Sequence, residues 1–239
     1  MILGLIPARL KSTRLKKKAL LDIGGLPMVI RTYKNAIKSK LLDDLIICTD
    51  SLEIKKISNI FNCKCVISKQ NHQNGTSRIA EEAKKYRAKL IIDIQGDEPL
   101  INSKIIDRCI SFHKKNINKF EIVLPTQEIK DPNSKHDVKV VFNEKKRILF
   151  FSRSPIPYNF KKKKNFYKQL SVISFKPNAL QEFAKNKITS LEKVENIELI
   201  RSIELSQKIG TFLSKSKSFS VDTYQDLVKA RKLIKNKFI

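Results

Sequence analysis

The order in which apolar runs alternate with amphipathic ones constrains this chain more than any single motif. "MILGLI" at the N-terminus is a short apolar run of strand length, and "PMVIRTYKNAIKSK" spaces its apolar residues at helical intervals with Pro27 near the start. "DLIICTD" reads as a second buried strand ending at Asp50, and "SLEIKKISNIF" as a helix with Ser51 at its N-cap. "KCVIS" is a third strand, "TSRIAEEAKKY" a helix, and "KLIIDIQGDEPL" a fourth strand running into a polar turn. Strand–helix alternation of this kind predicts a parallel, doubly wound α/β sheet with helices on both faces.

Beyond residue 120 the texture changes. "EIVLPT", "DVKVVFN", "RILFFSRSPIPY" and "QLSVISF" are β-rich and separated by turn residues, with "KKKK" at 161–164 read as a solvated loop. Helices are expected at about 178–186 and 190–208, and a last one from near Thr223. No linker or repeat divides the 239 residues, so the expectation is one domain over 1–239, with an inserted β-rich lobe over about 121–176.

The formal net charge of +26 raises the question of a nucleic-acid partner. Of the 49 basic residues, 39 are lysine and 10 arginine, spread along the whole chain with no recognition-helix, RNP-like or zinc-finger pattern. Specific readers of bases and phosphates lean on the arginine fork, so no specific nucleic-acid partner is expected. The four cysteines form no C-x-x-C pair and the three histidines are scattered, which favours reduced, buried, structural thiols. Apolar runs are too short to span a membrane and the N-terminus lacks a signal-peptide pattern. A cytoplasmic location is expected.

In an open parallel sheet, ligands bind beyond the carboxyl ends of the strands. Three polar loops are placed there, at 7–18, 71–78 and 95–99. The first, within "IPARLKSTRLKKKAL", has neither a dinucleotide fingerprint nor a P-loop pattern. It carries Arg9, Ser12, Thr13, Arg14 and Lys18, donors suited to triphosphate oxygens, although a plain solvated basic loop fits the same composition. "QGDEP" sets Asp97 in a turn where a phosphate-bridging Mg²⁺ is commonly held, and "SVDTYQDL" offers a second carboxylate in Asp222.

These motifs, together with "HQNGTSR", "VKVV" and "FSRSPIP", stand in one order along the chain. The set resembles the 3-deoxy-manno-octulosonate cytidylyltransferases, the CMP-Kdo synthetases of lipopolysaccharide assembly, from Ile6 to about Leu227; sialic-acid cytidylyltransferases look more distant. The resemblance implies a three-layer, Rossmann-like nucleotidyltransferase fold of the nucleotide-diphospho-sugar transferase type, with a β-rich dimerisation lobe and hence a homodimer. It implies transfer of CMP from CTP to the anomeric hydroxyl of Kdo, with pyrophosphate leaving. Pro7, Ala8, Arg9, Ser12, Arg14, Lys18, Thr76, Arg78 and Gln95 would hold the nucleotide. Asp97 and Asp222 would hold Mg²⁺, and with Arg9 and Lys18 would form the catalytic set. Arg153 would pair with the sugar acid's carboxylate, Glu198 with its hydroxyls, and Gln169 would complete the sugar side.

The chain departs from the family pattern in three places. "STRLKKKAL" stands where "STRLPGKPL" is usual, so Lys18 keeps its register while Lys16 and Lys17 replace a Pro-Gly pair and read as solvated. Gln169, Ser171 and Ile173 stand where a histidine, a glycine and a tyrosine are expected, and Leu199 follows Glu198 where a glutamine is usual. All but the first fall on the sugar side. An altered acceptor, such as 8-amino-Kdo or a nonulosonic acid, is therefore the alternative to Kdo.

Overall fold

A computed structural model of the chain describes residues 1–12, 15–68, 72, 74–160, 165–215 and 219–235. The first strand, β1 (Ile2–Ala8), sets the layering. Side chains alternate across a strand, and Ile2 and Ile6 enter one apolar cluster while Leu3 and Leu5 enter another. Each cluster needs a cover of helix. Val29 of α1 (Met28–Ala36), Ile54 of α2 (Leu52–Ile60) and Ile106 of α4 (Ser103–Lys115) close the first. Ile79 of α3 (Gly75–Ala83), Leu180 of α5 (Pro177–Lys185) and Ile200 of α7 (Leu199–Glu204) close the second. The molecule is thus three layers deep, with the sheet in the middle.

β2 (Asp44–Thr49), β3 (Cys65–Ile67) and β4 (Leu90–Ile94) lie parallel to β1 in the order β3-β2-β1-β4. From β1 the chain first moves to one side and later returns to the other, so the switch point falls between β1 and β4. Beyond β4 the sheet stops being purely parallel. β9 (Val172–Phe175) runs antiparallel to β4 and to β5 (Ile122–Ile129), while β10 (Ile209–Leu213) pairs parallel with β5. β8 (Phe166–Gln169), β6 (Lys139–Phe142) and β7 (Ile148–Ser152) extend the same sheet to its far edge. Segment 121–176 therefore supplies strands to the central sheet as well as to its outer part.

Two stretches differ from the sequence reading. The helix expected over 190–208 is broken: α6 (Ser190–Glu195) ends at Asn196, whose φ of 52° places it in the left-handed region that closes helices. α7 follows, and then strand β10. The other stretch is 103–115, to which the sequence reading assigns no element. It forms α4, burying Ile105, Ile106, Cys109 and Ile110 on one face. Elsewhere the local signals operate as expected: the Ser51 hydroxyl accepts from Ile54 N and caps α2. All four cysteines are free and buried, and burial pushes the Cys48 and Cys109 thiols up. Among the described residues no helix is long and apolar enough to cross a membrane. The run 161–164 lies outside the described residues.

Candidate active site

A cavity of about 520 Å³ opens at the carboxyl ends of β1 and β4, at the switch point and within the range of small-molecule sites. Its floor is Pro7 and Ala8 from β1, with Gln95, Gly96 and Asp97 from the turn after β4. Two glycines let these pieces close on one another. A Cβ on Gly96 would lie 2.9 Å from the Pro7 carbonyl oxygen, and one on Gly75 would lie 3.2 Å from Pro7 Cγ. The glycines of "QGDEP" and "NGT" are therefore spacing elements: they seat the β4 turn and the start of α3 against the end of β1. Asn74 caps α3 by accepting from Ser77 N at 2.8 Å, and both Asn74 and Gly75 line the cavity, presenting a helix N-terminus to it.

Asp97 and Asp222 are far apart in sequence and meet here for a local reason. Val221 N donates to Asp97 O at 2.9 Å, tying the approach to the last helix onto the β4 turn. That helix, α8 (Tyr224–Lys235), is capped reciprocally: Asp226 N donates to Thr223 Oγ1, and Thr223 N and Asp222 N donate to Asp226 Oδ2. "VDTYQD" thus fixes where Asp222 stands. The Lys18 ammonium lies between the two carboxylates, 2.7 Å from Asp97 Oδ2 and 3.1 Å from Asp222 Oδ1. Burial works against its charge, but Asp97 and Asp222 outweigh burial and raise its pKa. Lys17 turns away and pairs with Glu53, with half of its side chain exposed. The basic loop is therefore differentiated residue by residue, and only Lys18 of these two reaches the cavity.

Arg9 and Ser12 line the same mouth, while Thr13 and Arg14 lie outside the described residues. Arg78 also lines it, but its guanidinium is engaged: it donates to Asp50 Oδ2 at 2.7 Å and to Ala8 O at 3.3 Å, tying the ends of β1 and β2 to α3. Burial alone would push the Asp50 carboxyl up; the hydrogen bond and charge of Arg78 outweigh it and hold Asp50 below the usual carboxylate range. Thr76 is buried behind the cavity wall and donates its hydroxyl to Glu198 Oε2 at 2.5 Å. Glu198 itself faces the cavity, and burial raises its pKa. The opposite wall comes from α6 and the turn into α7. It is braced from behind by Arg201, which is fully buried and grips Glu192 through two hydrogen bonds of 2.6–2.7 Å.

Two expected sugar-side residues stand elsewhere. Arg153 is not brought into the cavity. Its guanidinium donates to the carbonyls of Glu195 and Asn196 at 3.0 Å and to those of Lys135 and His136 at 2.9 and 3.4 Å. The last carbonyls of a helix have no partner within it, and Arg153 supplies one for α6. Gln169 sits at the end of β8 opposite Thr126, away from the cavity lining, with its Oε1 buried and unpaired. The departure from histidine at this position therefore falls outside the cavity wall as it stands.

Sequence reasoning passed over Asp93. It is fully buried in β4, and both its oxygens receive Gln95 Nε2, at 3.1 and 3.0 Å. A single acid within the apolar run "LIIDI" gives no motif by which to find it. As for metal, no group of three or more His, Cys, Asp or Glu side chains suited to a metal occurs among the described residues. Asp97 and Asp222 converge on one cationic group, and such a pair suits Mg²⁺, which takes one or two carboxylates and completes its shell with phosphate oxygens and water.

Comparison with known proteins bears on the same chemistry. Residues 3–217 match the family model described as cytidylyltransferase. The 3-deoxy-manno-octulosonate cytidylyltransferase of Chloroherpeton thalassium is 37% identical over 243 residues, covering 97% of each chain. That of Francisella tularensis is 38% identical over 244 residues, covering 95% of this chain and 96% of the relative. A solved CMP:2-keto-3-deoxy-manno-octonic acid synthetase complexed with CTP superimposes with a TM-score of 0.93 at 28% identity, covering 99% of both chains.

Proposed function

The chain belongs to the 3-deoxy-manno-octulosonate cytidylyltransferases, within the cytidylyltransferase family, and on that premise we propose that it transfers CMP from CTP to the anomeric hydroxyl of 3-deoxy-manno-octulosonate. One observation carries the reading: Lys18 is held between Asp97 and Asp222 at the switch-point cavity, so that a cation-seeking acid pair and a phosphate-seeking ammonium share one place.

The sugar's hydroxyl oxygen attacks the α-phosphorus of CTP, the new P–O bond forms opposite the bond that breaks, and pyrophosphate departs. Both reactants are anions, so the chain's task is to neutralise and align them. Arg9 and Lys18 carry positive charge at the mouth, and the N-terminus of α3, which lines the cavity at Gly75, adds the positive end of its dipole. Asp97 and Asp222 would hold Mg²⁺, which would supply charge neutralisation at the phosphates. Glu198, kept in place by Thr76, accepts hydrogen bonds from sugar hydroxyls. Arg78 acts at one remove, by keeping the β1 end in position.

The sugar acid's carboxylate is received by cations of the cavity wall rather than by Arg153, whose guanidinium is engaged by four backbone carbonyls and does not line the cavity. The enzyme works in the cytoplasm as a homodimer with no specific nucleic-acid partner. The exposed Leu149 of β7, with Tyr158 and Phe160 nearby in sequence, gives the far edge of the sheet an apolar surface suited to a second copy. Pyrophosphate release from CTP and Mg²⁺ with Kdo, 8-amino-Kdo and a nonulosonic acid tests the assignment. Kdo is expected to give the highest kcat/KM, and release with none of the three overturns it.

A further inference from the structure

The geometry points to Asp93 as a positioning residue for the proposed cytidylyl transfer: its buried carboxyl fixes the Gln95 amide nitrogen inward, so that the carbonyl oxygen is turned to the cavity. Asp93 is fully buried, on the β4 rung that pairs with Leu5 of β1 and Ile173 of β9. Those neighbours are apolar, and the hydrogen bonds to its carboxylate among the described residues come from Gln95 Nε2 alone, at 3.1 and 3.0 Å. Charged or neutral, the carboxyl keeps an acceptor lone pair on each oxygen, and both oxygens lie within reach of Gln95 Nε2, so the nitrogen is the end of the amide turned inward. Gln95 also lines the cavity, and no hydrogen bond within the described residues engages its Oε1. One N–H of the nitrogen is shared between the two Asp93 oxygens. The oxygen is what a substrate meets.

The consequence is selective. A glutamine free to rotate offers a donor or an acceptor, whichever a ligand needs. Gln95 anchored by Asp93 holds its acceptor oxygen in one place, so a substrate group that meets that oxygen must bring an O–H or N–H. A carboxylate or phosphate oxygen placed there meets another lone pair. Holding an acid inside the sheet for this purpose is costly: burial, with the like charge of Glu198 next in weight, pushes the Asp93 carboxyl well up. Nothing in the core needs an acid at this rung, because its cross-strand neighbours are leucine and isoleucine.

The inference rests on the proposed activity, so the wild type is first assayed with CTP, Mg²⁺ and Kdo; no turnover there refutes that activity and not the role of Asp93. Asp93→Asn, nearly isosteric, lets the two amides pair either way round. Its expected effect is a rise of about five- to tenfold in KM for the one substrate that Gln95 meets, the range for one hydrogen bond, with a much smaller change in kcat. Its melting temperature is expected to equal or exceed the wild type's, because a buried acid has been removed. A double-mutant cycle with Gln95→Leu decides the route. If Asp93 acts through Gln95, Asp93→Asn adds nothing to the KM of Gln95→Leu. Unchanged KM values for both substrates, equal multiplicative losses in the two backgrounds, or a variant that fails to fold would each overturn the proposal.

Discussion

Lys18 and Lys17 are adjacent lysines in one basic loop, and the account requires them to behave differently. In Lys18→Ala the carboxylates of Asp97 and Asp222 lose the ammonium that lies 2.7 and 3.1 Å from them while remaining three-quarters or more shielded. A hydrogen bond to a charged group is worth about 1.5–3 kcal/mol. Two acids that keep some contact with water and begin to repel one another place the net cost at about 2 kcal/mol. For a chain of this length that is a fall of about 4–8 °C in melting temperature. Lys17→Ala removes an ion pair whose partners are 51% and 42% exposed, so its melting temperature should hardly move. Mg²⁺ sharpens the contrast: with the Lys18 ammonium gone from between the two acids, added Mg²⁺ should raise the melting temperature of Lys18→Ala more than that of the wild type. Turnover should fall about 10²- to 10³-fold in Lys18→Ala, as when a preorganised donor to a developing charge is removed, and less than twofold in Lys17→Ala. Thermal melts with and without Mg²⁺, beside a pyrophosphate-release assay, read all of this. Equal losses in the two variants would refute the reasoning and return the loop to a generic basic surface.

Asp97→Asn and Asp222→Asn should each nearly abolish pyrophosphate release while CTP still binds by calorimetry; near-normal turnover in either rules out their role with the metal. Arg153→Lys should lower the melting temperature, because a lysine cannot reach the carbonyls of 135–136 and 195–196 together, and should leave KM for CTP within about twofold; a specific rise in KM for the sugar acid at unchanged stability contradicts this. His113 is buried, its Nδ1 2.7 Å from Ser174 Oγ and its Nε2 3.3 Å from Phe120 O, and burial pulls it down to about 4. Its folded-state pKa lies below the unfolded value of about 6.5, so its contribution of about 3 kcal/mol is whole above that pH and is lost as pH falls toward 4. His113→Gln should therefore lose less stability than the wild type across that window in urea titrations; equal slopes refute the assignment.

The parts of this molecule that could be read in advance are those whose cause is local. Ser51 caps its helix from the residue where sequence places it, and the strands β1 to β4 follow from runs that must be buried on both faces. Asp97 and Asp222 are legible because each sits in a turn or cap that its immediate neighbours dictate, although it takes Val221 N on Asp97 O and the Lys18 ammonium between them to bring them together. Strand order beyond β4 is not local. The entry of β9 between β4 and β5 depends on pairings between distant segments, and nothing in "SVISF" announces its direction. Arg153 illustrates the same limit from the chemical side: an arginine in a motif suggests an anion, but four backbone carbonyls from two remote loops take its donors first. Asn196 breaks the expected helix over 190–208 by adopting a left-handed conformation that its residue type permits but does not compel. By contrast α4 carries its apolar residues in plain helical spacing, so its signal is present in the sequence itself.

If this cavity joins CMP to a sugar acid, its two products must form in equal amounts. The purified chain is incubated with CTP, Mg²⁺ and Kdo, and pyrophosphate and CMP–sugar are quantified together by ³¹P NMR. One CMP–sugar is expected for each pyrophosphate, with neither formed when the sugar is left out. Pyrophosphate released without sugar, or CTP left intact beside all three components, would contradict it.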